Sequence, residues 1–155
     1  RIRSQMDKLG IKAAFQGTSG IKSAAYHDGL GKDLAEGSLS FIEGAPWEKL
    51  PGGLNFIAKY NQAKYAEPAE AYGPFAFAAA TLVVEAIEKV GPDRKKVRDL
   101  LNATKDVDTI IGKVSFDEHR QNIVPLISKY VVQDNKWVLW EDSEYAMKKR
   151  KLPGL

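Results

Sequence analysis

The stretch YGPFAFAAATLVVEAIEKV, residues 72–90, constrains the fold more than any other part of the sequence. It predicts one long helix, because Pro74 suits the first helical turn, where its missing N–H costs no hydrogen bond. Apolar residues cover nearly every side of this helix, and Gly91-Pro92 ends it. A helix that is apolar all round must be buried on most sides. The neighbouring sequence offers no sheet on which this helix could be buried.

The pattern on the N-terminal side of this helix predicts half of a parallel α/β layer. We expect helices over residues 1–9 and 23–30, strands over 12–16 and 38–42, and a turn over 17–20. A parallel sheet needs several strands covered on both faces, and the first 42 residues supply about two. Residues 43–53 carry two prolines and three glycines around Trp47, and we expect a boundary between two lobes there. A helix over 54–65, ended by Pro68, follows.

The C-terminal side changes from helix to strand. Asp93 is expected to cap a short helix, and a strand is expected within residues 110–116, followed by a polar turn over 117–122. Segments 127–133 and 136–140 flank Asp134-Asn135 at the spacing of a hairpin. A last helical piece is predicted over 143–149. The resulting α/β fold is incomplete, and leaving the helix at 72–90 in water would cost several kcal/mol at ~25 cal/mol per Å2.

Composition excludes several classes of function. With 44% apolar and 28% charged residues, the 155-residue chain has the balance of a folded globular domain. It has no cysteine, so thiol chemistry and thiolate metal sites are impossible. The net charge of +3 is concentrated in Lys148-Lys149-Arg150-Lys151, which favours a solvated tail over a nucleic-acid surface. His27 and His119 have no partners at the spacing of a metal site or a catalytic triad. We therefore expect no catalytic residues, metal or cofactor.

The chain begins with Arg1, and Ile2, Met6 and Leu9 follow at helical spacing with no capping residue before them. We expect an end set by processing, cleavage or cloning, so that the missing signal peptide is uninformative.

Five stretches, in order, carry a resemblance to one family. Residues 6–12 (MDKLGIK) lead into 15–17 (FQG) and 34–37 (LAEG), and this part resembles the second lobe of leucine-binding-type periplasmic proteins. These are the solute receptors of branched-chain amino-acid ABC transporters. The later stretches that resemble the family are 72–91, 96–104 (KVRDLLNAT), 112–118 (GKVSFDE) and 130–137 (YVVQDNKW). The resemblance spans essentially the whole chain.

The resemblance implies a type I periplasmic binding fold, in which three crossovers join two α/β lobes. The chain would be its C-terminal half, with an incomplete second lobe and the C-terminal helices of the first. Residues 1–43 would belong to the second lobe, 44–51 to a crossover and 52–122 to the first lobe. Residues 123–155 would return to the second lobe. The missing N-terminal half, or a second copy, would cover the exposed apolar faces.

The same resemblance places a ligand cleft at two points. Thr18, Ser19 and Gly20 follow a strand and precede a helix, where open α/β sheets bind ligands, although they could simply form a turn. In amino-acid-binding members, a carboxylate at the position of Ser19 often pairs with the ligand ammonium. A neutral serine cannot do so, which favours a carboxylate without an amine, such as an aromatic acid. Tyr72 would contact the ligand from the first lobe, with Phe75 beside it, although either residue could simply pack in the core.

The function implied is that of the solute-binding component of an ABC-type importer. It would capture a small organic carboxylate, an amino acid or an aromatic acid, between its lobes and deliver it to a permease. By resemblance its location would be periplasmic, or extracytoplasmic with a lipid anchor. The alternative is a ligand-sensing regulatory module of the same fold that signals to a protein partner. An export signal upstream of Arg1 would favour the importer, and a Met start without one would favour the sensor.

Overall fold

The computed structural model describes residues 1–123 and 126–154. Residues 124, 125 and 155, which fall in the predicted return segment 123–155, lie outside the described residues. The chain divides into two compact units. Unit 1 comprises residues 1–43 and 127–155, and unit 2 comprises residues 44–126.

Unit 1 is built on a four-stranded sheet. In spatial order, its strands are β1 (Gln16–Thr18), β2 (Leu39–Glu43), β5 (Ile127–Gln133) and β6 (Lys136–Leu139). β1 runs parallel to β2, while β2–β5 and β5–β6 are antiparallel. The predicted hairpin is confirmed, with Asp134 and Asn135 at positive φ between its strands. Unit 1 has a buried apolar cluster of Leu39, Val131 and Tyr145. Trp140 and Leu152 pack against it.

Three short helices belong to unit 1: α1 (Ile2–Lys8), α2 (Ala24–Leu30) and α3 (Lys32–Ala35). α1 and α2 were predicted, whereas α3 was not, because a single helical turn leaves too short a pattern to recognise.

The predicted strand over 12–16 is wrong in position. β1 starts at Gln16 because its ladder partner β2 starts only at Leu39, and a strand needs a hydrogen-bonded neighbour.

The predicted helix over 143–149 is also wrong, because the segment forms successive turns. Ser143 Oγ donates to the Trp140 carbonyl at 2.6 Å and accepts from the Ala146 N–H at 3.2 Å. Lys148 has φ 59°, which a helix cannot continue through. Local hydrogen bonds of this kind compete with a regular helix.

Unit 2 contains α4 (Pro51–Ala63), α5 (Gly73–Val90), α6 (Arg94–Asn102) and a small antiparallel pair, β3 (Val107–Thr109) with β4 (Gly112–Val114). The helix predicted over 54–65 begins three residues earlier, at Pro51, which occupies its first turn. It ends at Ala63 and not at Pro68, because the next residue, Lys64, has φ 51°. The strand predicted within 110–116 is confirmed as β4, and the turn at Ile110 and Ile111 joins it to β3. Asp93 caps α6 as predicted, accepting from the Lys96 N–H at 2.9 Å.

α5 is the long helix that the sequence predicted. Ala78 and Ala86 are buried on one side, but Phe77, Val83, Val84 and Ile87 are 49%, 40%, 53% and 39% exposed. One stripe of α5, at helical spacing, is left in solvent by the described residues. It consists of Ala76, Ala80, Val83 and Ile87. No helix among the described residues is both long and apolar enough to cross a membrane.

The C-terminal segment is held to unit 1 by Glu36. The Glu36 carboxylate accepts from Tyr145 Oη at 2.6 Å and from the Arg150 guanidinium at 2.5 Å. Arg150 also pairs with Asp134 and Glu144. Burial, followed by the Glu36 carboxylate, raises the pKa of Tyr145. A solvated tail is therefore confirmed for Lys148, Lys149 and Lys151, which are exposed, and wrong for Arg150, whose charge is paired.

Replacing Tyr145 with phenylalanine should lower the free energy of unfolding by about 1.5–3 kcal/mol, because it removes a buried hydrogen bond to a charged group. Urea denaturation of the full-length protein measures this. Tyr65→Phe, at a 65% exposed tyrosine, is the control and should change stability by less than ~0.5 kcal/mol. Equal effects of the two substitutions would show that the Glu36 contact does not stabilise the tail.

Candidate functional site

The predicted site residues fall into two groups. Thr18, Ser19 and Gly20 lie in unit 1, and Tyr72 and Phe75 lie in unit 2. Within unit 1, Thr18 ends β1, residues Ser19–Ile21 form a single 3₁₀ turn, and α2 begins at Ala24. The strand–turn–helix order expected from the sequence is therefore present.

The parallel pairing of β1 and β2 determines the geometry of this turn. Thr18 is opposite Phe41 in the register, so the carboxyl ends of both strands reach the same edge of the sheet. The fully buried Ser40 donates its hydroxyl to the Thr18 carbonyl at 3.0 Å and fixes the end of β1. Ser19 is 6% exposed, while Thr18 and Gly20 are exposed. The turn thus lies at the edge where such sheets bind ligands, with the Thr18 side chain exposed there and Ser19 buried beside it.

A carboxylate that the sequence reasoning missed lies at this edge. Glu43 is the last residue of β2, two positions beyond Phe41, and is exposed. Ser19 Oγ donates to Glu43 Oε1 at 3.4 Å. Ligand contacts in α/β sheets follow the carboxyl ends of parallel strands, which is the signal that points to residues 18–20. The same signal, at the end of β2, points to Glu43.

Two lysines near this edge are directed at aromatic rings. The Lys22 ammonium, just after the turn, lies 4.1 Å from the centre of the Tyr130 ring. The Lys129 ammonium lies 3.4 Å from the centre of the Trp140 ring, and burial lowers the pKa of Lys129. Cations over ring faces are stabilised by the ring quadrupole. Both ammonium groups are therefore held over aromatic rings of unit 1.

In unit 2, the two predicted residues lie at the start of α5. Tyr72 is the residue preceding the helix and is 54% exposed. Phe75 is half-buried, and its ring lies so near Gly44, at φ 99°, that a Cβ there would be 3.3 Å from the ring edge. Tyr72 thus exposes about half of its side chain on unit 2, and Phe75 packs against the backbone of Gly44.

Unit 2 also has a cleft of about 610 Å3 between α4 and α5. Its walls include Phe56, Tyr60, Tyr65 and Phe77, whose rings contact one another at centroid distances of 4.9 to 5.8 Å. These rings form one apolar surface with few polar groups to orient a small molecule. Among residues 1–123 and 126–154, no three histidine or carboxylate side chains form a group that could hold a metal ion.

Comparison with known proteins identifies the class. A family model described as periplasmic binding protein matches residues 2–134, so the chain belongs to this family. Comparison with curated protein sequences gave no significant match. The predicted family and the fold class, part of a type I periplasmic binding fold, are confirmed.

Three solved structures illustrate the likeness. A leucine-binding protein from Thermotoga maritima is 21% identical, with a TM-score of 0.75 over 89% of this chain and 39% of its own. The substrate-binding protein of a branched-chain amino-acid transporter from Streptococcus pneumoniae, in complex with isoleucine, is 20% identical, with a TM-score of 0.73 over 89% and 40%. An extracellular ligand-binding receptor from Rhodopseudomonas palustris is 19% identical, with a TM-score of 0.69 over 88% and 43%.

The chain therefore spans about two fifths of the length of the structures it resembles. At these identities the likeness shows the fold alone. The matched family and these structures are binding proteins and not enzymes, so the chain is assigned no catalytic role.

The Ile21 side chain of the turn after β1 packs closely on Gly17. A Cβ there would lie 2.6 Å from Ile21 Cδ1 and 2.9 Å from Ile21 Cγ1, so Ile21 would have to move. Gly17→Ala should lower the free energy of unfolding of the full-length protein by about 1–3 kcal/mol, the usual cost of overpacking. Thermal or urea denaturation measures this loss.

Gly20→Ala is the matched control, because the nearest atom to its added Cβ is Thr18 Oγ1 at an ordinary 3.7 Å. It should be tolerated within ~0.5 kcal/mol. If Gly20→Ala proves as costly as Gly17→Ala, the packing of Ile21 is not what shapes the turn.

Proposed function

We propose that this chain is part of the solute-binding component of an ABC-type importer that captures a small organic carboxylate between two lobes. The observation that carries the proposal is the turn at Thr18, Ser19 and Gly20. It lies at the carboxyl edge of the parallel β1–β2 pair, in a chain that belongs to the periplasmic binding protein family. Two of the similar structures are a leucine-binding protein and an amino-acid transporter's binding protein in complex with isoleucine, which supports a ligand of this size and class.

In this proposal, unit 1 contributes part of the second lobe and unit 2 the helices of the first. Thr18 and Ser19 would contact the ligand from one lobe, and Tyr72, with Phe75 behind it, from the other. Hydroxyls and N–H groups bind a carboxylate by hydrogen bonds, while aromatic surface covers the apolar part of the ligand. Hinge closure around the ligand would then present the complex to a permease.

The proposal also requires a segment that covers the exposed surface of α5. The exposed apolar stripe on α5, which includes Val83 and Ile87, supports the proposal that a segment outside these 155 residues covers it. We assign that role to the N-terminal part of the fold, because the related structures are more than twice as long as this chain.

Family membership implies a location outside the cytoplasm, and we propose a periplasmic or lipid-anchored protein.

Ligand-dependent stabilisation of the full-length protein tests the function. Binding at a ligand concentration 100 times Kd should stabilise the native state by about 2.7 kcal/mol and raise Tm accordingly. Differential scanning calorimetry with L-leucine, L-phenylalanine and 4-hydroxybenzoate should show such a rise for at least one compound. If none of a wider set of amino acids and aromatic acids raises Tm while an unrelated class, such as sugars, does, the proposal is wrong.

The role of Tyr72 has its own test. Tyr72→Ala should weaken binding of the stabilising ligand about tenfold or more, because aromatic side chains carry a large share of contact energy. Isothermal titration calorimetry measures this change. Tyr65→Ala, at another exposed tyrosine of unit 2, is the control and should leave Kd unchanged. Equal weakening by both variants would contradict a direct contact by Tyr72.

A further inference from the structure

The basic run at residues 148–151 is a motif of the sequence that the proposed function leaves unused. It contributes four positive charges to a chain whose net charge is +3. The four side chains lie in two different environments. Arg150 is partly buried and pairs with carboxylates of unit 1, whereas the three lysines are exposed: Lys148, Lys149 and Lys151. The charges of the run that face solvent are therefore all ammonium groups.

The backbone that carries these lysines is fixed on unit 1. The Lys149 N–H donates to the Glu144 carbonyl at 2.9 Å. On the other side of the run, Leu152 packs against the buried apolar cluster of unit 1. Pro153 lies so close to Gly37 that a Cβ on this glycine would overlap the proline ring. Contacts before and after the lysines thus hold them at a defined place on the surface.

The carboxylates around the run are engaged by Arg150 and not by the lysines. The Arg150 guanidinium donates to Glu36 Oε1 and lies 3.3 Å from Asp134 Oδ2 and 2.9 Å from Glu144 Oε2. No carboxylate of residues 1–123 or 126–154 pairs with any lysine of the run. The three ammonium groups therefore stay uncompensated within this part of the chain.

Local stability does not explain these lysines. Lys148 has φ 59°, in the left-handed region where glycine is accommodated at less cost. Like charges in successive residues also repel one another and favour no folded arrangement of their own. Positive charge that the fold does not need, held on a fixed backbone, points to an interaction with another molecule.

The choice of lysine indicates the kind of partner. Arginine binds carboxylates through two parallel hydrogen bonds and is enriched at protein–protein interfaces, whereas lysine is depleted there. In this run the arginine is turned to the carboxylates of unit 1 itself, and only lysines face outwards. Exposed lysines act as point charges, and clusters of them attract anionic lipids. An anionic lipid surface therefore fits these side chains better than a protein surface does.

We propose that Lys148, Lys149 and Lys151 form an electrostatic contact between unit 1 and an anionic lipid surface. Three lysines give a weak attachment that salt screens, and it adds to any other attachment that the protein has to a membrane. The contact goes beyond solute capture and does not depend on it, because none of the three lysines belongs to the candidate binding site.

Vesicle cosedimentation of the full-length protein tests this contact. The probes are vesicles of phosphatidylglycerol and phosphatidylcholine in roughly equal amounts, and vesicles of phosphatidylcholine alone. At low ionic strength the protein should bind the mixed vesicles and not the neutral ones. Raising NaCl to about 0.5 M should release it, because salt screens exposed charges.

A triple variant removes the charges: Lys148→Gln, Lys149→Gln and Lys151→Gln. It should weaken binding to the mixed vesicles about tenfold or more, because each lysine near such a surface adds to the attraction. The matched control removes the same charge from exposed lysines of unit 2: Lys95→Gln, Lys96→Gln and Lys105→Gln. Its effect should stay below roughly twofold. Circular dichroism of both variants would confirm that they are folded.

Three results would overturn the proposal. The first is that the unmodified protein does not bind the mixed vesicles at low salt. The second is equal weakening by both triple variants, which would reflect net charge alone. The third is binding to a purified permease in phosphatidylcholine nanodiscs that the lysine variant loses, without binding to the mixed vesicles, because this would identify an acidic protein surface.

Solute binding separates this contact from the proposed function. The variant without the three lysines should keep the Kd of the unmodified protein for the stabilising solute, as measured by isothermal titration calorimetry. A large change in that Kd would place the lysines in solute binding and contradict a separate lipid contact. Failure of the unmodified protein to bind any small carboxylate would overturn the proposed function and leave binding to the mixed vesicles unaffected.

Discussion

The parallel pairing of β1 with β2 is the constraint on which unit 1 depends. Three register pairs, from Gln16 with Leu39 to Thr18 with Phe41, bring the two strand ends to one edge of the sheet. Ser40 reinforces that edge by donating to the Thr18 carbonyl from a fully buried position. Because side chains alternate along a strand, a shift of one residue would turn the buried Leu39 outward and move Glu43 away from Ser19. The core and the edge that carries the candidate site are therefore specified together.

The pairing also explains why the C-terminal segment packs where it does. β5 pairs with the other side of β2, and Leu39 meets Val131 and Tyr145 in the same buried cluster. Tyr145 and Arg150 then converge on Glu36, just before β2. The proposed binding site at this sheet edge requires strands held in a fixed register, and these contacts hold the C-terminal segment against Leu39 and Glu36.

Several elements followed directly from the sequence. Pro74 and Gly91 delimit α5, Asp93 caps α6, and Asp134-Asn135 turns the β5–β6 hairpin, because each of these signals acts over only a few residues. The strand–turn–helix order around Thr18 was predictable for the same reason. The sequence also predicted that α5 would have an apolar surface too large for its neighbours to bury, and the described residues leave Val83, Val84 and Ile87 exposed.

The sequence by itself determined the family, the main helices and the position of the turn at Thr18, Ser19 and Gly20. Only the tertiary structure decided that β1 starts at Gln16, that residues 143–149 form turns, and that Glu43 lies beside Ser19. The physical reason is the range of the interactions. Capping and periodicity are encoded within one or two helical turns, whereas strand register and ion pairs such as Arg150–Glu36, 114 positions apart, depend on which distant segments the fold brings together.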